Sequence, residues 1–310
     1  MRSGAKIPCG IFSLRTEVYM KTIGFIGLGN MGLPMALNLR KAGYPLLVCS
    51  GKPESAQQIE AAGGKSVCCF AELAKQADVI ITIVPADREI LALYTEDGGL
   101  IDAARDGTVC IDMTSAKGST KKAVAECAKQ KGKKIYVIDA PVSGGVAGAM
   151  AGTLTIMVGC EKSLFDENLP VFQAMGRKIV HTGETGSASN IKMINQMINA
   201  GNSAVACEAL CVAKKLGVDL NVMYDIICES SGGSFVFKNN VPRFISADHT
   251  PGFRLDLMKK DVGLFIESSQ QQNAFTPMSE FVYQVFKAAS NQGCGNENAT
   301  SIFKWYEQNQ

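Results

Sequence analysis

The chain has 310 residues, of which 46% are hydrophobic and 19% are charged, a composition typical of a globular protein long enough for about two domains. Its 31 basic and 29 acidic residues leave a formal charge of +2, which gives no electrostatic reason to expect nucleic acid or a membrane surface as a partner. The longest apolar run, residues 79–86, is too short to span a bilayer.

The 11 cysteines are scattered along the chain and form no C-x-x-C pair, and the chain has only two histidines. Disulfide frameworks belong to small secreted chains, and zinc sites need closely spaced Cys or His ligands. We therefore expect no metal site, and we interpret most of the cysteines as small buried hydrophobic residues of a cytoplasmic protein.

Residues 1–19 are basic and lack the sustained apolar core of a secretory signal. Met20 stands directly before the first strand pattern. We interpret residues 1–19 as an extension that is disordered or non-native, with Met20 as the natural start and a cleaved organelle address as the alternative.

From residue 22 to residue 183, short apolar runs alternate with helical patterns. Several of the runs are apolar throughout, as strands buried on both faces of a sheet should be. This alternation predicts an α/β fold with a doubly wound, Rossmann-type parallel sheet. The predicted strands are residues 22–27, 45–50, 65–69, 78–84, 108–113, 134–140, 153–159 and 178–183, and the clearest helices between them are residues 31–42, 53–62 and 120–131.

After residue 183 the strand patterns stop and helical periodicity takes over, at residues 189–216, 221–230, 255–271 and 277–290. We therefore predict that an all-α domain follows the sheet domain. The predicted boundaries are a dinucleotide-binding domain at residues 20–183 and a helical substrate and oligomerisation domain at residues 184–310.

A glycine-rich turn follows the first predicted strand and opens a helix. Gly27, Gly29 and Gly32 form G-x-G-x-x-G around Leu28 and the pair Asn30-Met31. In this context Gly27 makes the tight turn, Gly29 lets the backbone approach a pyrophosphate, and Gly32 permits close packing of helix on strand. The whole segment from Gly27 to Gly32, with Leu28, Asn30 and Met31, is therefore predicted to bind a dinucleotide, although a glycine turn without a ligand is the alternative.

The end of the second strand bears on the choice between NAD and NADP. NAD sites usually place an acidic residue there to hold the ribose diol, whereas this chain has Ser50 with Lys52 two positions later. A hydroxyl and an amine could bind a 2′-phosphate, so NADP is preferred over NAD. Glu54 is a rival for the ribose, but it is better placed to start the next helix.

Ligands of such sheets bind at the carboxyl ends of the strands, where three loops carry polar or small residues. These loops contain Val84-Pro85, residues 112–115 and residues 139–145. In the third, Ser143 precedes Gly144 and Gly145, so that a hydroxyl and unshielded amides could bind a substrate carboxylate. The same segment is also an ordinary turn sequence.

The long helix after the last strand carries Lys192 and Asn195 three positions apart, on one helix face. An ordinary lysine has a pKa near 10.4 and is a poor acid–base catalyst at neutral pH, but desolvation lowers that pKa. Lys192 could then donate a proton to a developing alkoxide. On composition alone, a lysine on a helix more often lies on a solvated face.

Four segments occur in a specific order: residues 27–39, Val84-Pro85, residues 139–145 and residues 183–195. With this set the chain resembles, from residue 22 to its last helix, the β-hydroxyacid dehydrogenase family, which includes 3-hydroxyisobutyrate dehydrogenase and tartronate semialdehyde reductase. The resemblance implies NAD(P)-dependent interconversion of a small 3-hydroxy acid and its semialdehyde.

The resemblance also implies roles for individual residues. It makes Lys192 the catalytic lysine and Asn195 its neighbour in the substrate site, a role that Gln196 could share. By the same resemblance, the substrate carboxylate would be held by Ser143, Gly144 and Gly145, and the nicotinamide ribose side would be lined by Val84, Pro85 and Ser115. Lys260 matches a later lysine–aspartate pair that closes over the cofactor.

Two departures from the family pattern bear on the substrate. Ala188 stands where the family usually has glycine, and residues 146–150 are apolar, which favours a small or partly apolar substrate. Residues 251–261, in contrast, resemble the tartronate semialdehyde reductases. A dehydrogenase of a four-carbon sugar acid and a non-catalytic NADP-binding protein therefore remain as alternatives.

Two other dehydrogenase classes are less well supported. Tyr283 and Lys287 match the Y-x-x-x-K of short-chain dehydrogenases, but they lie in a late helix beyond the nucleotide domain. A 2-hydroxy-acid dehydrogenase would need a catalytic histidine, and neither His181 nor His249 is well placed.

The long helix from residue 189 is apolar around much of its circumference, so it should be buried within its domain or against a second subunit. We therefore expect a homodimer or homotetramer, with a small carboxylate as the other partner.

Overall fold

The computed structural model describes residues 20–250 and 252–309, so the predicted extension of residues 1–19 lies outside the described residues. Strands and helices alternate as far as Gly183, and helices alone follow. The strands are β1 (Ile23–Ile26), β2 (Leu46–Cys49), β3 (Lys65–Ser66), β4 (Val79–Thr82), β5 (Val109–Asp112), β6 (Tyr136–Asp139), β7 (Val142–Ser143), β8 (Leu154–Gly159) and β9 (Gly176–Gly183). The helices of this part are α1 (Gly32–Lys41), α2 (Pro53–Ala61), α3 (Phe70–Gln76), α4 (Asp87–Thr95), α5 (Leu100–Ala103), α6 (Gly118–Gln130), α7 (Gly145–Ala151) and α8 (Lys162–Gln173). The later helices are α9 (Ser187–Lys215), α10 (Leu220–Cys228), α11 (Phe235–Ile245), α12 (Leu255–Gln271), α13 (Pro277–Asn291) and α14 (Ile302–Gln308).

The sheet is doubly wound around β1, which confirms the predicted Rossmann-type fold. Its strand order within the described residues is β3-β2-β1-β4-β5-β6-β8-β7, with β9 beside β8. Ile23 in β1 faces Leu46 on one side and Val79 on the other, both in parallel register. Because successive strands leave β1 in opposite directions, a crevice opens at the carboxyl ends of β1 and β4, where such sheets bind ligands.

The sheet is not parallel throughout, which corrects the prediction. β7 follows β6 directly beyond Pro141, and after α7 the chain returns as β8, which runs antiparallel to both. Val142 faces Ile156, and Met157 donates its backbone N–H to the carbonyl oxygen of Pro141 at 3.1 Å. A strand that returns alongside its predecessor without crossing a face of the sheet must run antiparallel to it. The sequence pattern does not reveal this change of direction, because β8 is as apolar as its parallel neighbours.

The helical part packs around α9, which α11, α12, α13 and α14 all contact. Two of these helices, α11 and α14, were not predicted from the sequence. Ser234 caps α11 by accepting the N–H of Phe237 at 2.9 Å, and the helix then continues through Pro242. Proline leaves the carbonyl four residues earlier without its helical donor, and the hydroxyl of Tyr224 donates to this atom of Lys238 at 3.0 Å. A tertiary hydrogen bond thus supplies the donor that Pro242 lacks, and the helix continues through a proline that would ordinarily end it.

The two parts of the chain meet closely at a pair of glycines. A Cβ on Gly118 would lie 2.5 Å from the carbonyl oxygen of Gly186, and a Cβ on Gly186 would lie 2.7 Å from the carbonyl oxygen of Gly118. The first turns of α6 and α9 therefore touch backbone to backbone. Nearby, Lys117 donates to Glu267 of α12 at 2.9 Å across the same junction. Among the described residues, no helix is both long and apolar enough to cross a membrane.

Candidate active site

The glycine turn has the shape that a pyrophosphate requires. Gly27 has φ +101°, and a Cβ there would lie 2.1 Å from the carbonyl oxygen of Ile83; a Cβ on Gly32 would lie 1.8 Å from the carbonyl oxygen of Gly27. Gly29 differs, since no heavy atom lies within 4 Å of the position that its Cβ would occupy. Gly27 and Gly32 are thus required by the fold itself, whereas Gly29 faces open space that a ligand can enter. These residues fit a dinucleotide.

The neighbours of the glycines divide between core and surface. Leu28 is buried, and its carbonyl oxygen accepts from the Ser55 hydroxyl at 3.2 Å, so α2 supports the turn from behind. Asn30 is exposed and Met31 is half-buried at the start of α1. Only the backbone of Leu28 could therefore reach a ligand, whereas the side chain of Asn30 is free to do so.

The end of β2 carries the two residues predicted to distinguish NADP from NAD. The backbone N–H of Lys52 donates to the Ser50 hydroxyl at 3.0 Å, which closes a tight turn, and the Lys52 side chain is exposed. At the crevice between β1 and β4, a cavity of about 410 Å³ opens. It is lined by Ile26, Phe70, Val84, Glu89, Ala92, Leu93, Glu96, Asp97 and Gly99.

Three of the predicted cofactor residues come together through Lys260. The Lys260 ammonium donates to the carbonyl oxygen of Ser115 at 2.7 Å and to that of Pro85 at 3.3 Å. Pro85 follows β4 and Ser115 follows β5, while Lys260 belongs to α12 of the helical part. One side chain of the helical part thus fixes two loops at the carboxyl edge of the sheet.

Lys192 lies buried on α9, with 7% of the residue exposed. Its Nζ donates to Gln196 Oε1 at 3.1 Å, and Gln196 Nε2 donates to Asp261 Oδ2 at 2.8 Å. Burial lowers the pKa of Lys192, the carboxylate of Asp261 opposes this effect, and the positive charge of Lys260 adds to it, so that the pKa is about 8. The amine is therefore close to half-protonated in the neutral to mildly alkaline range, as a proton donor and acceptor should be.

Asn195 and Gln196 occupy different positions beside this amine. Asn195 is exposed, and its Nδ2 donates to Gln196 Oε1 at 3.1 Å. Gln196 follows Lys192 by one helical turn and contacts its amine directly. The hydrogen-bonded neighbour of Lys192 is thus Gln196, and Asn195 contacts the pair from outside.

The loop predicted to bind a carboxylate adjoins the same helix face. Asp139, at the end of β6, accepts from the backbone N–H of Ser189 at 2.8 Å and from its hydroxyl at 2.6 Å. Ser189 precedes Lys192 by three residues, so this contact places the amine near the end of β6. Burial raises the pKa of Asp139, while Lys121 and the Ser189 bonds oppose that rise.

Beyond Asp139, the same loop exposes backbone that a carboxylate could contact. Ser143 is half-buried, and Gly144 and Gly145 are exposed with φ of +137° and +61°. No heavy atom lies within 4 Å of a Cβ built on Gly145. Ala188, where the family usually has glycine, is fully buried, so its methyl group is accommodated within the fold.

Several contacts of this arrangement could not be identified from the sequence. Asp139 and Ser189 are 50 residues apart, and Gln196 and Asp261 are 65 residues apart. The one available signal was the polar end of an otherwise apolar strand at Asp139.

The histidines lie elsewhere: the ring of His181 is hydrogen-bonded to the carbonyl of Cys160 at 2.7 Å, and that of His249 to the hydroxyl of Ser301 at 3.2 Å. Tyr283 and Lys287 lie in α13, within the helical part.

Within residues 20–250 and 252–309, no group of three or more His, Cys, Asp or Glu side chains is arranged to hold a metal ion.

Two family models together match nearly the whole described chain. The model of the NAD binding domain of 6-phosphogluconate dehydrogenase matches residues 22–183. The model of the NAD-binding domain of NADP-dependent 3-hydroxyisobutyrate dehydrogenase matches residues 186–306.

Similar proteins of known name include several hydroxyacid dehydrogenases. The chain is 37% identical to 2-(hydroxymethyl)glutarate dehydrogenase of Eubacterium barkeri over 92% of this chain and 95% of that protein. It is 31% identical to L-threonate dehydrogenase of Cupriavidus necator, over 92% of this chain and 95% of that protein. A solved structure of Mycobacterium tuberculosis 3-hydroxyisobutyrate dehydrogenase with L-serine superposes with a TM-score of 0.85 at 31% identity, covering 93% of this chain and 99% of that one.

Proposed function

The chain belongs to the β-hydroxyacid dehydrogenase family of NAD(P)-dependent oxidoreductases, and on that premise we propose that it interconverts a small 3-hydroxy acid and its semialdehyde. The substrate is of the 3-hydroxyisobutyrate or 2-hydroxy-3-oxopropionate type. The single observation that carries this proposal is the buried Lys192 amine, whose pKa is lowered to about 8 on a helix that Ser189 joins to Asp139 at the end of β6.

In this proposal Lys192 is the general acid and base. During reduction of the semialdehyde, its protonated amine donates a proton to the carbonyl oxygen as that oxygen gains negative charge; during oxidation, the neutral amine removes the hydroxyl proton. A bound nicotinamide supplies the hydride in one direction and accepts it in the other. Gln196 orients the amine, with Asn195 beside it, and Ser143, Gly144 and Gly145 hold the substrate carboxylate through a hydroxyl and backbone amides.

In the same proposal, a dinucleotide would be held at the carboxyl edge of the sheet. The segment from Gly27 to Gly32 would bind its pyrophosphate, and Val84, Pro85, Ser115 and Lys260 would hold its nicotinamide side. Ser50 and Lys52 favour NADP, because an exposed ammonium beside a hydroxyl can bind a 2′-phosphate.

A second candidate is a dehydrogenase of a four-carbon sugar acid. The likeness to an enzyme named L-threonate dehydrogenase favours it. The apolar residues 146–150, which follow the carboxylate loop directly, favour the smaller substrate instead.

We further propose a cytoplasmic homodimer or homotetramer, with the domain boundary between residues 183 and 184. The support for assembly is a row of exposed apolar side chains along α9. It consists of Ile191, Ile194, Ile198, Val205 and Val212, which recur at three-, four- and seven-residue spacing, so they share one face of the helix. Met193, Ala204 and Leu210 face the core instead, so the apolar circumference predicted for this helix is only partly buried within the chain.

The test is a substrate panel assayed with both NADPH and NADH. Semialdehydes of three-carbon and branched four-carbon acids, together with four-carbon sugar acids in the oxidative direction, should separate the two candidates by kcat/KM. Turnover of a 3-hydroxy acid pair at least tenfold above that of the sugar acids is expected. Binding of NADPH without turnover of any member would contradict the proposal.

A further inference from the structure

We propose that Asp112 and Lys121 are positioning residues that hold the two loops facing the nicotinamide side of the cofactor. This inference rests on the proposed function in one respect only, the placement of those loops beside the cofactor. The supporting contacts form a continuous buried chain of hydrogen bonds.

The pair is fully buried. Lys121 of α6 has no exposed surface, Asp112 at the end of β5 is 2% exposed, and the ammonium of Lys121 donates to Oδ1 of Asp112. A buried ion pair is often no more stabilising than apolar residues of the same volume, because removing two charges from water offsets their attraction. Stability alone therefore does not account for this buried pair, and the groups that it holds in place suggest its role.

The residue held is Thr114. Its backbone N–H donates to Asp112 Oδ1 at 2.8 Å, and its carbonyl oxygen accepts from Lys121 Nζ at 3.1 Å. Its hydroxyl accepts from the backbone N–H of Val84 at 3.0 Å. All three polar groups of Thr114 are thus fixed, and the loop after β5 is tied to the loop after β4.

The second carboxylate oxygen extends the network to α4. Oδ2 of Asp112 accepts from the hydroxyl of Thr82 at 2.9 Å, and that hydroxyl lies 2.9 Å from the hydroxyl of Tyr94. Thr82 and Tyr94 are both fully buried. The pair therefore joins β4, β5, α4 and α6 at the carboxyl edge of the sheet.

The two loops present one carbonyl each to the helical part. Ser115 directly follows Thr114, Pro85 directly follows Val84, and both carbonyl oxygens accept from Lys260. Because Asp112 and Lys121 fix Thr114, and Thr114 fixes Val84, the pair determines where both acceptors of Lys260 stand. Loosening the pair should loosen the cofactor loops and the contact across the junction together.

The experiment separates positioning from stability by comparing single and double variants. Asp112→Asn and Lys121→Met each leave one buried charge without its partner, so each should lower Tm by about 5 °C or more. The double variant Asp112→Asn/Lys121→Met buries no charge, and its Tm should return to within a few degrees of the parent. Its Kd for NADPH should nonetheless be roughly tenfold higher, because the carbonyl of Thr114 has lost its donor. If the double variant stays destabilised, its Kd is measured well below its own Tm, where it is folded, and the same comparison applies.

A matched control lies at the other end of α6, where Lys131 donates to Asp102 at 2.8 Å in a partly exposed pair. Asp102→Asn/Lys131→Met should change neither Tm nor Kd appreciably. Lys260→Met should raise the Kd for NADPH in the parent. In the Asp112→Asn/Lys121→Met background it should raise the Kd by less than a further twofold, since both changes act through the same loops.

A folded double variant with the parent Kd for NADPH, or full additivity with Lys260→Met, would overturn the inference. Both readouts are binding measurements without a hydroxy acid, so they do not depend on which substrate turns over. A parent chain that binds neither NADPH nor NADH would instead refute the proposed function.

Discussion

Gln196 connects two charged residues of the site: its Oε1 accepts from the Lys192 ammonium at 3.1 Å, and its Nε2 donates to Asp261 at 2.8 Å. Its oxygen also accepts from Asn195, and its nitrogen lies 4.0 Å from the sulfur of Met258. An amide oxygen has two acceptor positions, and Lys192 and Asn195 use both of them. Gln196 therefore fits a role in orienting Lys192 better than a direct bond to substrate.

Replacing Asp261 should move the pH dependence of turnover. The carboxylate of Asp261 raises the pKa of Lys192, so Asp261→Asn should lower that pKa below its parent value of about 8. Oxidation needs the neutral amine and reduction needs the protonated one; kcat/KM for oxidation should therefore rise at lower pH than in the parent, and kcat/KM for reduction should fall at lower pH. Profiles measured in both directions from about pH 6 to about pH 10 would show the shift.

The control is Asp256→Asn on the same helix, where Asp256 pairs with Lys259 and Ser290 outside the site. Its profile should coincide with that of the parent. If the pH profile of Asp261→Asn inflects at the same pH as the parent profile or at a higher pH, the carboxylate of Asp261 does not raise the pKa of the Lys192 amine.

Removing the amine should abolish chemistry without abolishing cofactor binding. Lys192→Met replaces a buried proton donor by an apolar side chain of similar length, and kcat should fall by about 10²–10⁴-fold. The Kd for NADPH, measured by fluorescence, should stay within about twofold of the parent. Lys215→Met, at the exposed end of α9, is the matched control and should retain kcat. Parent-like turnover by Lys192→Met would disprove the catalytic role.

Two alanine substitutions in the glycine turn should have opposite consequences. A Cβ at Gly29 meets no heavy atom within 4 Å, so Gly29→Ala should keep the parent Tm but raise the Kd for NADPH by about tenfold or more, since the methyl group enters ligand space. A Cβ at Gly32 would lie 1.8 Å from the carbonyl of Gly27, so Gly32→Ala should lower Tm by several degrees. Thermal melts and binding titrations of both variants test this contrast, which tight NADPH binding by Gly29→Ala would contradict.

Lys52 should affect NADPH and NADH differently. Its exposed ammonium follows Ser50, where a 2′-phosphate would lie. Lys52→Ala should raise the Kd for NADPH by about fivefold and leave the Kd for NADH unchanged, because NADH has no 2′-phosphate. Lys41→Ala, which removes an exposed lysine at the end of α1, should affect neither. Equal effects of Lys52→Ala on both cofactors would remove the basis for the NADP preference.

The apolar row along α9 should be where two copies meet. Ile198 and Val205 are 59% and 63% exposed in the single chain. Ile198→Lys/Val205→Lys places two charges on that row and should reduce the mass measured by light scattering from an oligomer to a monomer. Phe275→Lys changes a residue that is 93% exposed between α12 and α13, and it should preserve the parent mass. A monomeric parent protein would contradict the assembly.

Local patterns predicted much of this fold and part of its site. Each of the eight predicted strands is present. For β1, β4 and β5, which are buried throughout, an apolar run between turn residues specifies the strand without long-range information. The order of Gly27, Gly29 and Gly32 likewise identified the turn, although the steric demand on Gly27 comes from the distant Ile83. Lys192 was reached through the family resemblance, because its burial depends on residues far along the chain.

The remainder depends on contacts that no local pattern contains. The direction of β8 depends on the return of the chain after α7, and α11 depends on the Tyr224 hydroxyl that compensates for Pro242. Without the family resemblance, the sequence around Asp261 is an ordinary charged helical turn, and only the fold brings Asp261 into contact with Gln196. Asp112 and Lys121 are nine residues apart, on a strand and the following helix, so their pairing follows only from the packing of α6 on the sheet.

The contact between Gly118 and Gly186 limits how this protein can be recombined with its relatives. Any side chain at either position would push the first turns of α6 and α9 apart, and Lys192 lies six residues beyond Gly186. A chimaera that joins the sheet half of one enzyme to the helical half of another therefore needs glycine at both points of contact. A larger residue at either one would leave each half foldable but would shift the amine away from the sheet edge that it serves.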